Sequence, residues 1–133
     1  MGNKIANFQK KGHYVIDAVH DFAAQLIAKG SALAALDVVE VLTIPAKCIV
    51  MAAGITPIAV ANSTTLTLDL GDGTDVDRNV DGFDAKATTD GVPIMTVEKY
   101  YPTADTLDLT YATLTGTLTT GSVRVWAIVI DIS

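Results

Sequence analysis

A single cysteine in 133 residues leaves no partner for an intrachain disulfide, so this chain has no covalent staple. Cys48 sits in an apolar run with Ile49, Val50 and Met51, which suits a buried small hydrophobe better than a nucleophile. Bases are also scarce. Nine Lys and Arg face fifteen Asp and Glu, for a net charge of −6, and a nucleic-acid-binding chain would need a basic face. No apolar stretch approaches the roughly 18 residues of a membrane span. The N-terminus lacks the apolar core of a signal peptide. It opens like a myristoylation site, but Ala6 stands where Ser or Thr is required. The reading is therefore no targeting signal, no lipid anchor, no membrane and no nucleic acid. The chain also has no G-x-S-x-G elbow, no H-E-x-x-H, no C-x-x-C and no phosphate-binding glycine loop. His20 and Asp21 are neighbours, and neighbours on a strand point to opposite faces, so they do not form an acid–base pair locally. The expectation is a protein that is not an enzyme and carries no cofactor.

Half of the residues are hydrophobic and the mean hydropathy is +0.39, high for a small monomer. This suggests surface covered by partner subunits. The length fits one domain, expected over residues 13–133 behind a short arm at residues 1–12. The arm holds Lys4, Lys10 and Lys11, three of the nine bases, together with the apolar side chains Ile5 and Phe8. Acids gather instead between Asp69 and Asp90.

Periodicity points to strands throughout. Leu107, Leu109 and Tyr111 alternate with Asp108 and Thr110, and Leu66, Leu68 and Leu70 alternate with Thr67 and Asp69. Asp37–Ile44 is a strand stopped by Pro45. Cys48–Ala53 is a second, ended by Gly54, and Ile58–Ala61 a third. Val123–Ile132 is apolar on both faces apart from Arg124, as expected of a strand covered on both sides. His13–Phe22 fits a strand or a helix. The strand is preferred because β-branched and aromatic residues dominate. Ala23–Leu36 reads as a connection with room for a helical turn, residues 71–91 as a long acidic loop, and Val92–Tyr100 as strand. Many short strands with regular turn signals predict an all-β fold, a β-sandwich of jelly-roll type.

Three groups of residues are candidates for binding, the first being the arm, where Ile5 and Phe8 offer apolar anchors and Lys4, Lys10 and Lys11 a salt-sensitive attraction to a partner protein. Asp77-Arg-Asn79-Val-Asp81-Gly82 matches the opening of a calcium loop, with oxygen ligands at alternate positions and a glycine for the bend. Thr88 then stands where the bidentate Glu belongs, so Asp77, Asn79 and Asp81 read as turn residues of a solvated loop and only weakly as metal ligands. Tyr100, Tyr101 and Trp126 are the notable aromatics; core or subunit packing is favoured for them over a sugar-binding platform.

Three stretches are familiar in combination. Asp37-Val-Val-Glu-Val-Leu-Thr-Ile-Pro-Ala, Leu68-Asp-Leu-Gly-Asp-Gly-Thr-Asp-Val-Asp with Val80-Asp-Gly-Phe-Asp, and Ala104-Asp-Thr-Leu-Asp-Leu-Thr with Gly121-Ser-Val-Arg-Val-Trp-Ala resemble segments of small structural proteins of tailed bacteriophages, especially those of cyanobacteria and marine bacteria. The resemblance spans roughly residues 13–133. It implies a virion component, foremost a capsid decoration or cement protein of β-sandwich fold on the capsid surface. Its partners would be the major capsid protein and itself, as a homotrimer. A tail or fibre component and a calcium-dependent carbohydrate-binding module are the competing readings.

Overall fold

The computed structural model describes residues 12–86 and 98–133. The arm residues 1–11, and with them Lys4, Ile5, Phe8, Lys10 and Lys11, lie outside the described residues, as does most of the Val92–Tyr100 segment.

Eight strands and one helix follow in the order β1 (His13–Asp21), α1 (Phe22–Lys29), β2 (Val38–Ile44), β3 (Cys48–Ala59), β4 (Thr65–Gly71), β5 (Val80–Asp84), β6 (Lys99–Tyr101), β7 (Asp105–Thr115) and β8 (Ser122–Asp131). They form two four-stranded sheets, β1-β8-β3-β6 and β2-β7-β4-β5, with every pairing antiparallel. The pairs β4–β5, β3–β6, β2–β7 and β1–β8 are nested, as if one long hairpin had been rolled up. That is the topology of a jelly roll, a β-sandwich.

The core lies between the sheets and follows from period-two alternation. Val123, Val125, Ala127 and Val129 enter it from β8. Leu66, Leu68 and Leu70 enter from β4, and Leu107, Leu109 and Tyr111 from β7. Each of the valines and leucines contributes about 1.5–3 kcal/mol of burial before the cost of ordering it.

Four boundaries differ from the sequence reading. The strand read over His13–Phe22 ends at Asp21, and Phe22 opens a helix where a connection was expected. The Asp21 carboxylate accepts from the Ala23 and Ala24 N–H groups at 2.8 and 3.3 Å, a helix N-cap. Gly30, at φ +74°, closes the other end and donates its N–H to the Leu26 carbonyl. The strand expected to stop at Gly54 continues to Ala59 and takes in the first two residues of the separate strand read at Ile58–Ala61, while Val60 and Ala61 lie outside any strand. Gly54 is there to seat a ring: a β-carbon on it would come within 2.5 Å of the Trp126 indole. Lastly, the acidic loop contains β5, whose Val80 and Phe83 are buried.

Candidate functional site

Strand register sorts each sheet into an inward and an outward set, and the two outward sets are unlike. On the β2-β7-β4-β5 sheet the outward positions are mostly threonines and acids, with Val38 of β2 exposed among them. Thr65 and Thr67 of β4 share hydrogen bonds of 2.7 and 2.8 Å with Thr115 and Thr113 of β7. Glu40, Asp69, Asp84 and Asp108 point the same way, with no Lys or Arg in the paired strands of that face. Desolvation, added to the nearby charges of Asp81 and Asp77, raises the Asp69 carboxyl above its usual value, against the hydrogen bond from the Gly82 N–H.

The outward face of the β1-β8-β3-β6 sheet is apolar. β1 presents Val15 and Val19, 63% and 51% exposed. β8 presents Trp126, Ile128 and Ile130, and β3 presents Ile49, all half-buried. Tyr100 of β6 lies opposite Ile49 and is 46% exposed. Trp126 packs against Gly54 and donates its indole N–H to Thr56 Oγ1 at 3.3 Å. In the middle of the face a single ion pair joins Asp17 and Arg124 across β1 and β8. The sequence reading had β8 covered on both sides; among the described residues only its inward side is fully covered.

Of the three aromatics singled out from sequence, Tyr100 and Trp126 therefore share this outward face. Tyr101 points the opposite way, is 3% exposed, and donates its hydroxyl to Asp72 Oδ2 at 2.7 Å, so its side chain has no outer surface to offer a neighbour.

Asp72 is the hub of the acidic segment and was not visible as such in the sequence. Its buried carboxylate also accepts from Lys99 Nζ at 2.9 Å, Arg78 Nε at 3.0 Å, and the backbone N–H groups of Asp75 and Thr74. Burial alone would push this carboxyl up. The hydrogen bonds from Lys99, Tyr101 and the turn backbone outweigh it and hold Asp72 well below the usual carboxylate range. Gly71-Asp72-Gly73 signalled the turn; partners some thirty residues away could not be read.

The calcium-like triplet is split between turn and strand. Asp77 and Asn79 precede β5, while Asp81 lies within it and is exposed. Gly82, at φ +78°, donates its N–H to Asp69 Oδ1 at 2.8 Å. Asn79 is buried, its N–H donated to the Leu70 carbonyl. Among the described residues, no three His, Cys, Asp or Glu side chains gather as a metal ion would require.

Two further features lie away from these outer faces. A cleft of about 540 Å³ lies between the end of α1 and the β7–β8 turn, lined by Leu26, Ile27, Leu33, Leu118, Thr117 and Thr119 among others. None of its lining side chains among the described residues is titratable. Inside the sandwich, His20 Nε2 and the Tyr111 hydroxyl share a 2.6 Å hydrogen bond, and Phe22 packs edge-on against both rings.

The chain matches no protein-family model and no curated protein sequence. Its fold is similar to that of chains in two solved structures. One is in the capsid asymmetric unit of cyanophage Pam1, at 16% identity and a TM-score of 0.64, covering 98% of this chain and 94% of that one. The other is in the capsid of Ralstonia phage GP4, at 11% identity and a TM-score of 0.64, covering 98% of this chain and 92% of that one. At these identities the likeness is one of fold, over whole chains of nearly equal length.

Proposed function

We propose that this protein is a virion structural protein of a tailed bacteriophage, and within that class a decoration or cement protein bound to the outside of the head. The observation that carries the reading is end-to-end agreement of its jelly roll with similarly short chains in two phage capsid structures. The phage-like segments noted in the sequence lie within the same fold. A structural, non-enzymatic role goes with this reading, since both fold neighbours are chains of phage capsids.

The partners in this reading are the major capsid protein and further copies of the chain, as a homotrimer. Cementing needs no covalent step. A protein that binds the assembled lattice and not the free capsid subunits stabilises the lattice by mass action. An oligomer touching several capsomers at once gains avidity from the same weak contact. The test is to incubate the purified chain with empty heads that lack it. Saturable co-sedimentation and a higher head-disruption temperature are expected. Failure to bind heads, with binding to isolated tails instead, would overturn the decoration reading in favour of a tail component.

A further inference from the structure

We infer that the outward face of the β1-β8-β3-β6 sheet is where one copy of this chain joins another. The inference rests on the reading that copies associate, and it adds which surface they use.

Charge selects the occupant. In the paired strands of this face the charged residues are Asp17 and Arg124, already joined to each other, and Asp21, which caps α1. The middle of the face is thus electrically neutral, its one ion pair closed on itself and flanked by apolar side chains. Two copies can bring it together without opposing like charges. The opposite sheet cannot do this: Glu40, Asp69, Asp84 and Asp108 would meet their own kind, at a cost that desolvation increases.

Extent agrees. With strands about 4.8 Å apart and a rise of about 3.3 Å per residue, β1, β8 and β3 span a flat footprint of roughly 450 Å². This is more than half of the roughly 800 Å² that each partner gives to a stable association, before side-chain relief is counted. Trp126 sits against Gly54 within this footprint, where a larger residue would displace the ring.

The sheet edges supply an independent observation. Exposed edges are normally shortened, kinked or charged, because unpaired backbone recruits other strands. Here β6 has three residues, β5 has five and a break in register, and β2 has a bulge between Glu40 and Leu42. Among the described edge strands β1 alone is long and unbroken, nine residues in continuous register with β8, and it borders the apolar face. The unblunted edge and the apolar face thus adjoin, as expected if both are covered in the assembly.

The test is sedimentation equilibrium of the full chain across the micromolar range, beside a Val15→Lys/Val19→Lys variant and a Thr43→Lys/Thr106→Lys control on the opposite face. The wild type and the control should sediment as the same multiple of 13.9 kDa. The β1 variant should dissociate at least about 100-fold more readily and fall toward the monomer mass. An oligomer that persists in the β1 variant, or one broken by the control, overturns the assignment of the face but leaves self-association standing. A wild type that sediments as a monomer throughout overturns both, while attachment to heads remains separately measurable. If the β1 variant loses its cooperative melt, hydrogen exchange on the wild type decides. Protection of β1 amides that grows with protein concentration supports the face, and such protection confined to β2 or β5 overturns it.

Discussion

His20 sits where burial decides its protonation. Removed from water on the inner side of β1, it is held at a pKa of about 4, against an ordinary value of 6.5; desolvation lowers it and the Asp21 charge opposes the shift only partly. Burial likewise pushes the Tyr111 hydroxyl upward, so both partners of the 2.6 Å bond are neutral near pH 7. The unfolded chain takes up this proton first. The fold's advantage is therefore complete above the ordinary value and is lost as pH falls from 6.5 to about 4, by about 3 kcal/mol. Thermal melts should show a stability decline across that window, and a His20→Gln variant should flatten it. An unchanged slope in the variant would assign the decline to other groups. Asp72 works in a separate range: its carboxyl is depressed, so its contribution is present above 3.8 and lost only as pH falls below it.

Among the elements, the turn between β4 and β5 depends most on one side chain. Asp72 ties that turn to β6 through Lys99 and Tyr101, and closes it through Arg78 and two backbone N–H groups. Truncation would leave Tyr101 and two cations facing a site built for a carboxylate. Asp72→Ala should cost about 3–5 kcal/mol, the range for breaking a buried charge cluster by removing one partner. Denaturant melts measure this directly. A loss below about 1 kcal/mol would mean the cluster is solvated like a surface pair. Asp77→Ala, at the half-buried end of the same turn, is the comparison and should stay within about 0.5 kcal/mol, as surface changes do.

For the whole molecule, charge is divided between the arm and the body. Lys4, Lys10 and Lys11 precede a sandwich whose outer β2-β7-β4-β5 face is acidic. In the decoration reading the arm contacts capsomers: Ile5 and Phe8 would each bring roughly 1.5–3 kcal/mol of burial, offset by ordering costs, and the lysines a salt-screened attraction. A chain lacking residues 1–11 should keep its fold and its self-association. It should bind empty heads more weakly, with the larger deficit at low salt. Equal binding at both salt levels would assign the head contact to the sandwich.

The sequence by itself determined the class of this fold, because alternation along a strand is local and the core needs only that alternation to form: Leu66–Leu70, Leu107–Tyr111 and Val123–Val129 point inward as their spacing requires. It also carried the cap signals of α1, Asp21 and Gly30, although an eight-residue helix gives too few turns for periodicity to stand out against a strand. Tertiary structure decided what depends on pairing at a distance. Gly54 reads locally as a strand breaker, and only the Trp126 ring packed against it explains why β3 runs on. Tyr100 and Tyr101 are adjacent and chemically alike, yet strand parity sends one to the outer face and the other to Asp72. The apolar face arises in the same way. Val15, Ile49, Tyr100 and Trp126 come from four strands far apart in sequence, and the order β1-β8-β3-β6 makes one surface of them.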